Sequence, residues 1–320
     1  MTDQTAGENT RENSRAVLTV GGQAVLEGVM MRGPQAWAVA VRRPDGVIEA
    51  IRHSLPRLSS RSVLARIPFI RGVMVLGESL SLGFRALSWS AQKAGGDEEE
   101  ELSKAQIAGS MSVALIFFAV LFILAPAAAA RALTDNRSFF YAAVEGVVQL
   151  GIFLGYLWLL GRSKDIKRVF AYHGAEHMSI HAYESGDPLS IERVQKYPPE
   201  HPRCGTSFLL LVMVLAILIF GLLGRLPWPL LIASRLIGIP VIAGISYEML
   251  KLSGANQKNW FGRFMAAPGL WLQRLTTGDP EPDQIEVAVA SLLSALDEDQ
   301  VADVIARGEV PDAALAARAR

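Results

Sequence analysis

Four apolar runs set the outer limits on this 320-residue chain. Ile107 to Ala130, Phe139 to Gly161, Ser207 to Gly224 and Trp228 to Leu250 are each close to the ~20 residues that cross a bilayer's hydrocarbon core. Backbone polar groups in lipid must be satisfied within the segment, so the runs predict helices. The connections Leu133 to Ser138 and Arg225 to Pro227 are short, which pairs the helices antiparallel in a compact bundle over residues 107–250. The length would allow two soluble domains, but 51% of the residues are hydrophobic, and that composition points to a membrane protein. The net charge is zero, which leaves no electrostatic case for a nucleic-acid partner. A single cysteine excludes an internal disulfide framework.

Lysine and arginine orient the bundle. The loop 162–206 holds Arg162, Lys164, Lys167, Arg168, Arg193, Lys196 and Arg203, and Lys251, Lys258 and Arg263 follow the fourth run. The short connections carry only Arg131, Arg137 and Arg225. Both termini and the 162–206 loop are therefore expected in the cytoplasm, where Cys204 stays a reduced thiol. Charged residues inside spans are functional hypotheses by default. Glu145 and Arg235 both fall toward the outer side, which makes them an expected ion pair. Glu248 falls near the cytoplasmic end of the fourth run, where it either joins a site or snorkels to the interface.

The flanking segments are less apolar. Residues 1–16 read as a disordered tail without the pattern of a signal peptide. Residues 17–93 read as a β-hairpin region followed by an amphipathic helix. Ala36 to Arg42 and Val47 to Ile51 flank an Arg43-Pro44-Asp45-Gly46 turn. Gln23, Glu27 and Arg32 are either polar residues of a strand edge or part of a site lining. In Pro68 to Ala91, Arg71, Glu78 and Arg85 recur every seven residues, so they share a face. Such a helix lies at the membrane interface or against the bundle. Residues 94–106 form an acidic linker. In the C-terminal segment, 251–320, Asn256 to Trp271 reads as interfacial and Gln284 to Leu296 as a short amphipathic helix. The expected fold is thus mainly α: a polytopic membrane bundle of about four transmembrane helices, with a small N-terminal β-hairpin region and interfacial amphipathic helices.

The chemistry is concentrated between the second and third runs. Four of the five histidines and the cysteine lie between Tyr172 and Cys204, and these are transition-metal ligands. Asp165 to Ser185 lacks proline and reads as a helix. His173, His177 and His181 then share one face at i, i+4, i+8. The outer two are ~12 Å apart along the axis, so one ion takes His173 with His177 or His177 with His181. His201, Cys204 and Glu248 are the candidates to complete the shell. His173 to His177 also match H-x-x-E-H, in which the histidines bind zinc and the glutamate polarises water. That makes Glu176 the candidate general base. The bland alternative is a polar helix face at the membrane surface.

Five stretches carry a resemblance: G-G-Q-A-V-L-E-G-V-M-M-R-G-P at 21–34, I-P-F-I-R-G at 67–72, Y-H-G-A-E-H at 172–177, H-P-R-C-G-T-S-F at 201–208 and E-P-D-Q-I-E-V-A at 281–288. Together they resemble the YqhQ family over roughly residues 17 to 296. The resemblance implies a multi-pass protein of the bacterial inner membrane, in a family of unknown function described as predicted metal-dependent enzymes. From the residues, three classes stay open. One is a metal-dependent enzyme, foremost a hydrolase, holding a divalent transition metal with Zn²⁺ as first candidate. Its substrate would be a lipid, a lipid-linked intermediate or a membrane protein. The second is a non-catalytic metal sensor, carrier or assembly factor. The third is a membrane scaffold without metal.

Overall fold

The computed structural model describes residues 20–55, 67–95, 104–134, 139–224, 226–255 and 259–319. The expected disordered tail (1–16) and most of the expected acidic linker (94–106) lie outside the described residues.

The fold is mainly helical with one small antiparallel sheet. Strands β1 (Gly21–Val25), β2 (Gly28–Arg32), β3 (Ala36–Arg42) and β4 (Ile48–Ser54) form a meander in sequence order. The expected hairpin is β3–β4, registered Ala36↔Ser54 through Arg42↔Ile48. The glycine-rich stretch before it adds two strands, with Gly28 opposite Val41. A side chain at Gly28 would meet the Ala40 carbonyl at 2.1 Å, so glycine lets the strand run there. All of β3 except Arg42 is buried, as in a strand covered on both faces. Helix α1 (Pro68–Ala94) covers one face, where Leu82 and Ala86 pack on Val25, Met30, Trp37, Val39 and Val41. The other face, carrying Val29, Met31, Ala38 and Ala40, packs on α5 (Lys164–Ser185) and α10 (Pro282–Ala295).

Among the described residues, four helices are long and apolar enough to cross a membrane, at Gly109–Leu133, Phe140–Leu160, Gly205–Leu223 and Trp228–Ser253. The first is α2 (Lys104–Ala119), a π-helical turn (Val120–Leu124) and α3 (Ala125–Leu133) in succession. The others are α4 (Phe139–Leu160), α7 (Gly205–Leu223) and α8 (Trp228–Ala255). The wide π turn changes the backbone pairing, and the Phe122 carbonyl inside it accepts a hydrogen bond from Gln149 Nε2 at 3.2 Å. Arg235 reaches Glu145 at 2.6 Å and lies over the Phe220 ring. The two charges anticipated as partners therefore meet between α8 and α4.

Helix α1 connects the two halves of the molecule. Its C-terminal half holds the sheet. Its N-terminal half crosses α8 where Gly72 faces Gly244, and a Cβ on Gly72 would stand 3.0 Å from the Gly244 Cα. Arg71 clamps Glu248 there through contacts of 2.6 and 2.7 Å, and Glu78 lies 3.9 Å from Arg32. The remaining elements are α6 (Ile191–Val194), α9 (Trp260–Gln273), α11 (Glu298–Arg307) and α12 (Asp312–Arg318). The helix expected as short and amphipathic near the C-terminus is α10, and every residue from Gln284 to Ala295 except Glu286 is buried. It is a central core helix rather than a surface one, because sheet, α5 and α12 enclose it.

Candidate metal centre

Helix α5 follows the second span directly and carries the histidine row. It ends at Gly186, whose φ of 74° is left-handed, with Asp187 N–H donating to the Ala182 carbonyl. That glycine cap reverses the chain. Asp187 then accepts from Arg193 Nε at 2.8 Å and Tyr197 OH at 2.6 Å, which folds residues 190–204 back along α5. Cys204 closes the return as N-cap of α7, accepting from Thr206 N–H at 3.4 Å.

His173, His177 and Cys204 converge, with one ligand atom from each lying within 4.8 Å of the others. Hydrogen bonds orient the rings. A carbonyl only accepts, so Nδ1 of His173 donates to Thr276 O at 2.8 Å and Nδ1 of His177 donates to Pro199 O at 2.6 Å. Both rings thus keep a lone pair on Nε2, which on His173 faces the Cys204 sulfur. This is the outer arrangement that metal-binding histidines use. His173 Nε2 lies 3.2 Å from Cys204 Sγ, within a few tenths of the ~3.6 Å that tetrahedral zinc bond lengths imply. The donor set of two imidazoles and a sulfur fits zinc by type as well.

The other candidates divide. His181 turns Nε2 to the Glu200 carbonyl at 3.0 Å, and its ring lies 4.5 Å from that of His201. His201 spends Nδ1 on the Arg203 N–H and points Nε2 at Glu184, 3.8 Å away. These two form a neighbouring pair, continuous with His177 through a 5.6 Å ring contact to His201. Glu248 is not brought to the cluster, because Arg71 holds its carboxylate. Glu176 sits beside the cluster and is 3% exposed. The Gly22 N–H donates to its carboxyl, while Oε2 has no protein partner. Burial, with a smaller contribution from Cys204, lifts its pKa to about 8 against the pull of His173 and of the Gly22 bond. Burial also pushes His177 and His201 below, and the Cys204 thiol above, their ordinary values.

Several groups that build this centre escaped the sequence reading. Of the polar residues considered as site lining, Glu27 instead holds Arg168 at 2.6 Å and Arg32 faces Glu78. The sheet's contribution is the backbone N–H of Gly22. Gln273 is fully buried. It accepts from His201 N–H at 2.7 Å and donates to His201 O and Ser207 Oγ at 2.9 and 3.1 Å. Gly174, a mild cost in a helix, is required. The Gly278 carbonyl lies 2.1 Å from where its Cβ would stand, and this contact lays the 276–280 loop on α5 with Thr276 on His173. A lone glutamine closing an aromatic, apolar segment was the one legible hint, since backbone carbonyls leave no residue-type signal.

A family described as "Protein of unknown function (DUF1385)" matches residues 67–298. The "Uncharacterized protein YqhQ" of Bacillus subtilis (strain 168) is 35% identical over 286 residues, 85% of this chain and 90% of that protein. No solved structure matches. With the motifs at 21–34, 172–177 and 201–208 converging on one centre and the match running through most of both chains, this chain belongs to the YqhQ family.

Proposed function

We propose that the protein is a metal-dependent hydrolase of the bacterial inner membrane, working at the cytoplasmic surface with both termini on that side. The carrying observation is that His173, His177 and Cys204 converge beside a buried carboxyl, Glu176, with one oxygen unpartnered. Three protein ligands and an open position is the pattern of catalytic zinc sites. The chemistry supplied when zinc is bound is Lewis acidity and a water pKa near 7. The chain's own residues do the rest. Thr276 and Pro199 fix the imidazole tautomers, Gln273 fixes the His201 backbone, and the Thr206 N–H at the start of α7 holds the Cys204 sulfur in place. Glu176, steadied by Gly22, exchanges a proton at Oε2: its ionised form accepts one, and its protonated form, favoured by burial, passes one to a leaving group. The cytoplasmic assignment is supported by the lysine and arginine distribution.

A non-catalytic metal site is favoured by one observation: His177 and Cys204 are only 2% and 7% exposed. Cobalt substitution of the detergent-purified protein separates the readings. The enzyme reading expects one metal per chain, a thiolate-to-cobalt absorption band lost in Cys204→Ser, and a spectrum that shifts when azide or a hydroxamate is added. His177→Ala should bind less than a tenth of the wild-type metal, and Glu176→Gln should bind it fully. A cobalt spectrum indifferent to added ligands indicates a closed sensing or carrier site. Equal metal in wild type and His177→Ala removes the centre altogether.

A further inference from the structure

Helix α9 has two faces with different tasks. Its inner face packs on α7 and α8. Gly269 lies against Ser207, where a Cβ would come within 2.2 Å of the hydroxyl, and Ser253 Oγ donates to the Gly262 carbonyl at 3.2 Å. Its last inner residue is Gln273, which holds His201. Three residues on, Thr276 holds His173. The outer face carries Trp260, Phe264 and Trp271, exposed by 78, 66 and 53%. These sit at i, i+4 and i+11, on one side of the helix, and Arg263 and Arg274 flank them with exposed side chains. Arg274 is 73% exposed and lies 3.7 Å from Glu200.

Water is a poor solvent for such a face, and its surroundings name a better one. The fourth candidate span ends at Ser253, seven residues before Trp260. Antiparallel spans with short connections put the ends at Leu160, Gly205 and Ser253 on the same membrane face. Trp158 stands at the first of these ends with the Arg162 guanidinium 4.2 Å over its ring. Trp158 and Trp260 therefore both stand at span ends on that one side, and tryptophan and arginine together prefer the headgroup layer. Cations beside exposed aromatics match an anionic headgroup.

We propose that α9 is an in-plane membrane helix whose outer face binds anionic phospholipid. It thereby seats the His173–His177–Cys204 cluster one helix thickness, ~10 Å, from the headgroups. Given the hydrolase reading above, on which this step rests, the substrate is an amphiphile drawn from the adjoining leaflet.

The test uses full-length protein in nanodiscs of phosphatidylcholine with or without phosphatidylglycerol, with lipids brominated near the glycerol or near the chain end. Tryptophan emission of wild type minus that of Trp260→Phe/Trp271→Phe isolates the two outer-face rings. That component should be quenched at least twofold more by shallow than by deep bromines, and little by aqueous iodide. Arg263→Gln and Arg274→Gln should each lower phosphatidylglycerol retention roughly fivefold, about 1 kcal/mol. Strong iodide quenching overturns the proposal. So does protection from both quenchers in a nanodisc holding two chains, which assigns the face to a second copy. Metal content is read on the same samples. Metal bound without lipid quenching defeats only this proposal, and lipid quenching without metal defeats only the hydrolase reading.

Discussion

At the scale of single residues, the candidate centre is held by backbone groups as well as by side chains. Gly174→Ala should displace the 276–280 loop, because the new methyl would overlap the Gly278 carbonyl. Overpacking of this kind costs about 1–3 kcal/mol. Losing the Thr276 bond to His173 should weaken metal binding about 10- to 100-fold, measured by competition with a chromogenic chelator. Ala182→Gly on the same helix should not reproduce that loss. Glu184 supplies a pH signature. Burial raises its pKa, but His201 and Arg203 outweigh it, so the net shift is downward. A lowered carboxylate adds stability that is present above its ordinary pKa of 4.5 and lost as pH falls through its folded value. In chelator-treated protein, the melting temperature should fall between pH 5 and pH 3, and Glu184→Gln should flatten that part of the curve. The same decline in the variant would assign the acid sensitivity elsewhere.

At the scale of elements, the apolar runs were legible because length and hydropathy suffice for a span, and all four runs correspond to membrane-length helices. The one-turn spacing of His173 and His177 was legible for the same local reason. Glu248 was not. Its partner Arg71 comes from a helix 177 residues earlier in the chain, and nothing near Glu248 announces it. Helix α10 misled in the other direction. Ile285, Val289, Leu292 and Leu293 suggested one apolar stripe, but alanines and serines fill the opposite side, and small residues let a helix be enclosed all round. The Glu145–Arg235 contact between α4 and α8 makes a quantitative claim. Glu145→Ala and Arg235→Ala should each cost about 3–5 kcal/mol by stranding a charge, while the double variant should cost clearly less than their sum. Strict additivity in detergent melting curves would mean that the 2.6 Å contact contributes no coupling.

At the scale of the whole molecule, the fold joins what the sequence separates. The domain reading placed the strands at one end of the chain and the C-terminal helices at the other, since only local pattern was available. In the fold, the two ends share one core, and the histidine helix runs between them. Topology is the global property most exposed to test. In a Cys204→Ser background, Pro227→Cys should react with a membrane-impermeant maleimide added to intact cells, and Ser185→Cys only after lysis. The reverse pattern would place the cluster outside the cell and remove the reduced-thiol argument.

The shared core also sets a timetable for synthesis. Strands β1 to β4 are complete by residue 54, but α10, which with α5 buries one of their faces, begins at residue 282. At about 5–20 residues per second, a ribosome needs roughly 10 to 45 seconds for the intervening stretch, and four spans must enter the bilayer meanwhile. The newborn sheet therefore waits with an apolar face uncovered, shielded on its other side once α1 has emerged. Chains released before α10 is made would keep open the part of that face that α5 does not cover, a mark by which a protease or chaperone can tell a copy without α10 from one that has it.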